Sequence, residues 1–246
     1  MIQQYLKSIF KELQQIFPEY SFSKQEVILW FKHYLYLLKL ANNINGNTLE
    51  IGAGFGVLAT GLAKQQHKTV FSIEHPSRDF FYKKEYIEYL LNNNVHLVGC
   101  DISDGLPFKT QSFELICCCD VIEHLYPQQI NILRDEIKRI IKPTGYLILS
   151  TPNLGRIQNI WRLTRGEPIN PTLSIDMFGS TFGHIREFVP IELIDIFSDF
   201  ENKKISYKSL SPVDGYFFNK KGKILSTIGY FVPKWREEFY LLMKRR

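Results

Sequence analysis

Only four of the 246 residues are cysteine, and three of those are consecutive. Neighbouring side chains on a strand point to opposite faces, so Cys117, Cys118 and Cys119 lack the spacing of a metal site. With Cys100 they are expected as small buried residues in a reducing compartment. No apolar run is long enough to span a bilayer. Lys7, Lys11 and Glu12 interrupt the early apolar residues, so no secretory signal is expected. The expected location is cytoplasmic. Internal repeats, low-complexity tracts and linkers are also missing. We therefore expect a single domain over 1–246, with 1–44 as an N-terminal helical cover and 211–236 as an insertion before the last strand.

What is there is ordinary in amount and uneven in placement. Apolar residues make up 45% and charged residues 22%, as in globular proteins. The net charge is +5, yet residues 202–246 carry +8 and the remainder −3. Such a basic C-terminal region suits an anionic partner or a plain solvated face.

The stretch Thr48-Leu49-Glu50-Ile51-Gly52-Ala53-Gly54-Phe55-Gly56 organises the chain. An apolar strand runs into a glycine turn, and Val57-Leu58-Ala59 begins a helical pattern. This is the opening unit of a doubly wound α/β domain. The spacing is G-x-G-x-G, with Val at position 57. A dinucleotide fingerprint needs its third glycine one residue later, which argues against a nicotinamide oxidoreductase. No phosphate-binding Lys follows the turn.

Around it, strands and helices alternate. Residues 2–17 place Ile2, Leu6, Ile9, Leu13 and Ile16 on one helical face, closed by Pro18. Ser23-Lys24-Gln25-Glu26 reads as a capping box for a second helix to about Leu40. Strands are expected at Thr69–Glu74, Val95–Cys100, Phe113–Cys119, Tyr146–Ser150, Ile205–Leu210 and Glu238–Lys244. Helices are expected from Pro76-Ser77 to Asn92, from Pro127, over Ile157–Leu163 and from Pro190. The alternation implies a mostly parallel sheet with right-handed crossovers.

In such a sheet ligands sit beyond the C-terminal strand ends. The first four ends carry Glu50 with Gly52, Gly54 and Gly56, then Glu74, then Cys100-Asp101, then Asp120. Glu74 follows the turn by about 20 residues, the distance usual for a carboxylate that accepts ribose hydroxyls. Asp101 can accept from an adenine amino group.

Together with Leu106-Pro107-Phe108, Asp120-Val121-Ile122-Glu123-His124, Lys142-Pro143-Thr144-Gly145 and Ser150-Thr151-Pro152-Asn153, this series resembles class I S-adenosylmethionine (SAM)-dependent methyltransferases over roughly residues 45–210. It is most similar to the small-molecule branch with ubiquinone-biosynthesis O-methyltransferases and enzymes of glycan and lipid-precursor pathways. The resemblance implies a Rossmann-like α/β fold with strand order 3-2-1-4-5-7-6 and an antiparallel seventh strand. It also implies SAM as cofactor, S-adenosylhomocysteine as product, and an oxygen rather than a nitrogen of a small-molecule, glycan or lipid-linked acceptor as methyl target. Thr144, where the family often has glycine, and Asp199, where relatives have glycine before Phe200, depart from the pattern.

The cofactor residues expected are therefore Glu50, Gly52, Gly54, Gly56, Glu74, His75, Cys100, Asp101, Ile102 and Asp120. The resemblance also makes His184 and His124 the candidate proton-transfer residues, since an imidazole titrates near neutrality. Arg186 suits a carboxylate or phosphate. A comparable acidic-x-x-Glu-His cluster accompanies a divalent metal in the ubiquinone-pathway enzymes. In the wider family the Glu-His pair shapes the cofactor pocket without one, and no metal residue is assigned here. The rival readings are a nucleic-acid methyltransferase and a non-catalytic SAM-binding protein. Against the former, the Asn/Asp-Pro-Pro-aromatic motif is missing after the fourth strand. Lys220, Lys221, Lys223, Lys234 and Arg236 around Ile224–Val232 suggest peripheral membrane contact.

Overall fold

A computed structural model of the chain describes residues 2–20, 24–66, 68–169, 184–209, 227–229 and 231–246. Seven strands form one sheet, β1 (Thr48–Ile51), β2 (Val70–Glu74), β3 (Val95–Gly99), β4 (Phe113–Cys119), β5 (Ile141–Pro152), β6 (Phe200–Lys208) and β7 (Glu238–Arg245). Their order is β3-β2-β1-β4-β5-β7-β6, with β7 antiparallel to both neighbours. This is the expected topology.

The buried strands alternate between two cores. Leu115 and Cys117 pack against α1 (Ile2–Ile16), α2 (Lys24–Ala41), α3 (Val57–Gln66) and α4 (Lys84–Asn92) on one face. Ile116 and Cys118 face α5 (Pro127–Ile140) and α7 (Pro190–Ile196) on the other. The cysteine run thus splits across the sheet, as the period of two requires. All four cysteines are free, and Cys100 and Cys119 are only partly buried. In α1 the residues Leu6, Ile9, Phe10 and Leu13 are buried, so the amphipathic face of that helix joins the first core.

The elements differ from expectation at a few edges. Between β2 and α4 the chain makes a 3-10 turn, Asp79–Tyr82, and α4 begins only at Lys84. Strand β5 extends through Pro143, and its register against β4 shifts between Phe113 and Leu115. Strand β6 begins at Phe200, earlier than Ile205, because its polar residues Glu201, Lys203 and Lys204 lie on the sheet edge. Edge strands tolerate such charges. A short α6 (Ile157–Thr164) follows β5. Ser23 of the capping box, Leu210 at the end of an expected strand and residues 211–226 of the insertion lie outside the described residues. With them go Lys220, Lys221 and Lys223; residues 227–229 and 231 are helical. Among the described residues, no helix is long and apolar enough to cross a membrane.

Candidate active site

The register of the parallel strands builds the site. Pairing of β1 with β2 sets Glu50 opposite Ser72, and pairing of β2 with β3 sets Glu74 opposite Gly99. Pairing of β4 with β5 sets Cys119 opposite Ser150, and antiparallel β7 brings Glu238 opposite Pro152 at the same edge. Acidic groups from four strands therefore gather at one end of the sheet.

The glycine turn leaves β1 with Gly52, Gly54 and Gly56 all at positive φ (84°, 49° and 75°). Glycine alone adopts these dihedrals freely. A Cβ at Gly52 would collide with Val121 and one at Gly56 with Leu90, whereas nothing lies within 4 Å of a Cβ at Gly54. Gly54 is thus the point where the turn opens. Glu74 braces it: its Oε2 accepts from Gly54 N at 2.9 Å, and its Oε1 from His75 N at 2.8 Å. Each oxygen keeps a further lone pair for a ligand hydroxyl. Tyr86 donates from its hydroxyl to the Gly54 carbonyl at 2.8 Å. Phe55 packs against Phe17, Tyr20 and Phe80, with centroids 4.9–5.2 Å apart. The N-terminal segment thus wedges the turn from outside.

Glu50 does not reach the opening. It is buried, and its Oε2 accepts from Ser72 Oγ at 2.7 Å. Burial pushes its pKa up to about 8, with Glu74 adding to the rise and the Ser72 hydrogen bond opposing it. Its place is beneath the turn. Beside β3, Asp101 Oδ1 accepts from Ser103 N at 2.8 Å and starts the turn Ile102–Asp104. That backbone hydrogen bond holds the Asp101 pKa below its usual value. His75 stands 3.5 Å from Asp101 Oδ2 and 2.7 Å from Ser77 Oγ. Cys100, its thiol raised to about 11 by burial, lines a cleft of about 450 Å³ with Asp101, Gly105 and Leu106. Ile102 packs against the second core.

At the end of β4 the backbone of Asp120 turns left-handed (φ 54°) and leaves its carboxylate exposed. Its Oδ1 accepts from Ser150 Oγ at 3.0 Å. Glu123 is buried; its Oε2 accepts from Thr151 Oγ1 at 2.9 Å, and its Oε1 makes no hydrogen bond. Burial, then the nearby Asp120 charge, push its pKa well up. The Glu123 carbonyl accepts from Ile185 N at 2.7 Å. This strap carries His184 to His124, where their rings meet edge to face at 4.8 Å. His184 Nδ1 lies 3.9 Å from Glu187 Oε1. Glu187 is itself held by Arg156 at 2.7 Å and by Asn159 at 2.8 Å. A buried carboxylate fixed by two donors can orient an imidazole. Arg186, by contrast, pairs with Glu192 and lies over the Phe188 ring.

Among the described residues, two groups of donors each lie within 4.8 Å of one another, Glu123 with His124 and His184, and His33 with Asp120 and Glu238. The second group was missed in the sequence, although a histidine on the apolar face of α2 was its visible signal. His33 is buried.

Residues 49–149 match the family model described as a methyltransferase domain. Solved structures with similar folds include a SAM-dependent methyltransferase from Archaeoglobus fulgidus (14% identity, covering 91% of this chain and 95% of that one, TM-score 0.58). The PH0226 protein from Pyrococcus horikoshii OT3 shares 16% identity over 95% of this chain and 98% of that one, at a TM-score of 0.64. The geranyl diphosphate C-methyltransferase from Streptomyces coelicolor A3(2), solved with Mg²⁺, geranyl diphosphate and S-adenosylhomocysteine, shares 12% over 92% and 85%, at 0.59. The methyltransferase domain match covers β1 to β5, the strands that carry the glycine turn and four of its acidic neighbours.

Proposed function

We propose that the chain moves the methyl group of SAM to an oxygen of a small-molecule, glycan or lipid-precursor acceptor. The observation that carries this reading is the open glycine turn braced by Glu74, with Asp101 after the next strand and His124 and His184 paired beyond β4. Glu74 would take the ribose hydroxyls, Asp101 with His75 and Ile102 the adenine side, and Asp120 the cationic end. His184, oriented by Glu187, would accept the proton of an acceptor hydroxyl as its oxygen attacks the methyl carbon, with His124 as its neighbour. The cofactor supplies the electrophilic methyl group; the residues supply alignment, which is worth on the order of 7–11 kcal/mol in oriented reactions.

Calorimetric titration with SAM and, separately, NAD on wild type and Glu74→Ala tests the cofactor. We expect SAM to bind, the substitution to weaken it, and NAD to give no heat. Well-folded protein that ignores SAM overturns the reading. An acceptor screen then includes hydroxylated small molecules and, because a structural neighbour acts on geranyl diphosphate, prenyl diphosphates.

A further inference from the structure

Helix α2 sends one polar side chain into the strand ends. The ring of His33 lies between two carboxylates, with Nδ1 3.1 Å from Glu238 Oε1 and Nε2 3.6 Å from Asp120 Oδ2. Nδ1 also meets the Tyr240 hydroxyl at 2.9 Å. Glu238 comes from β7 and Asp120 from the end of β4, so the ring joins three separate segments. The contacts use different ring nitrogens. That is the geometry of an imidazole bridging two anions, not of three donors converging on one ion.

Glu238 is buried, and its Oε1 makes no hydrogen bond. A buried carboxylate takes up a proton or gains a neighbouring positive charge. The groups facing the ring are Asp120 from the end of β4, Glu238 and Tyr240 from β7, and Tyr34 from its own helix, at 5.1 Å between centroids. The charges of Asp120 and Glu238 also act on buried Glu123. Among these, His33 is the one group able to carry a positive charge.

Asp120 is the member of the array that is open to solvent. Its side chain is 43% exposed, its backbone is left-handed, and Ser150 fixes one of its oxygens. Sparsely populated backbone held in place by neighbours is a mark of sites built to aim a side chain.

We propose that His33 is a positioning residue: as an imidazolium bridged between Glu238 and Asp120, it holds the Asp120 carboxylate turned toward a cationic ligand in the strand-end cleft. The inference rests on the proposed reading of that cleft as a SAM site, since SAM and S-adenosylhomocysteine both carry an ammonium group. Burial alone would lower the His33 pKa, but Glu238 and Asp120 together raise it to about 9. His33 is thus charged at neutral pH and loses that charge as pH rises through that value.

The test uses the full chain with S-adenosylhomocysteine, titrated calorimetrically between pH 6.5 and 10, in wild type, His33→Gln and Glu238→Gln. Nitrogen NMR of labelled histidine assigns the His33 resonances by their loss in His33→Gln. We expect His33 to remain protonated at neutral pH and the wild-type affinity to step down as it titrates. His33→Gln should bind roughly tenfold more weakly at pH 7.5, the scale of one charged contact, and lack the step. Glu238→Gln should move the step toward neutral pH, which a merely structural role would not do. The ligand's own titration is common to all three proteins. A neutral His33 at pH 7 overturns the proposal, as do equal affinities and equal pH profiles in wild type and both variants. A folded wild type that binds no S-adenosylhomocysteine overturns the cofactor reading along with it, whereas binding that ignores His33 overturns the role of His33 alone.

Discussion

His124 and His184 stand edge to face with ring centroids 4.8 Å apart, although one follows β4 and the other precedes α7. The Glu123 carbonyl makes this meeting obligatory, because it accepts from the amides of both Ile185 and Arg186. The strap is therefore pinned by backbone on one side and by the Glu187 ion pair with Arg156 on the other.

Replacing His184 with Gln should separate binding from chemistry. Gln keeps the size and some hydrogen bonding but cannot accept a proton. We expect S-adenosylhomocysteine affinity to change less than about twofold while turnover of an oxygen acceptor falls by roughly 10²–10⁴, the usual contribution of general-base catalysis. Turnover that survives intact would remove His184 from the proton path and transfer attention to His124.

The glycine turn gives a sharper contrast. Ala at position 54 meets open space in the protein, so its cost is the left-handed backbone, about 1 kcal/mol. Ala at 52 or 56 meets Val121 or Leu90 as well. Thermal unfolding should therefore rank Gly54→Ala well above the other two in stability. Cofactor affinity should nevertheless be lost in Gly54→Ala, because the new methyl fills the opening. A Gly54→Ala protein with wild-type affinity would show that the ligand does not approach the turn there.

The parts of this site that were legible in the sequence are those one strand can encode alone. Glu74, Asp101 and Asp120 each follow an apolar run, and a parallel sheet collects such ends on one edge. The polarity of edge strand β6 hid its start at Phe200, since the usual alternation is lost over Glu201–Lys204. The pairing of His33 with Glu238 could not be read for another reason. Their meeting depends on β7 entering between β5 and β6 in a register that sets Glu238 opposite Pro152, and no local pattern carries that register. Gly54 and Gly52 looked alike in the sequence; only the packing of Val121 tells them apart.

Thr144 offers a stability test that leaves the site untouched. It occupies the left-handed region at φ 66°, where a β-branched residue pays for its Cβ. It lies within β5, before the stretch that pairs regularly with β4 from Leu115 onward. Thr144→Gly should raise stability by about 1 kcal/mol, less the extra entropy glycine loses on folding. Urea denaturation with an unchanged slope reads this directly. A loss of stability would mean that the threonine side chain makes contacts that outweigh the strain.

The pH dependence of stability follows from four buried groups that shift in the same direction, one of them Glu123, pushed well up by burial. Glu50 rises from 4.5 to about 8, Glu238 from 4.5 to about 7, and His33 from 6.5 to about 9. For Glu50 and Glu238 burial is the main cause; for His33 the carboxylates overcome it. A folded-state pKa above the unfolded one favours the protonated form in the fold. The associated stability is complete below the unfolded pKa and is lost as pH rises through the folded one. The protein should therefore be more stable near pH 6 than near pH 9, with the loss from Glu50 and Glu238 spread between about pH 4.5 and 8 and that from His33 continuing to about 9. Glu187 works the other way: burial alone would raise its pKa, but His184, Arg156 and Asn159 lower it, so its contribution fades only in acid. Glu50→Gln isolates one contribution, because Gln fills the same space beside Ser72 without a charge to desolvate. Chemical denaturation of wild type and Glu50→Gln at pH 6 and pH 9 should show a smaller difference between the two pH values in the variant. Parallel losses in both proteins would mean that Glu50 is already ionised at pH 6 and that the decline belongs to Glu123, Glu238 and His33.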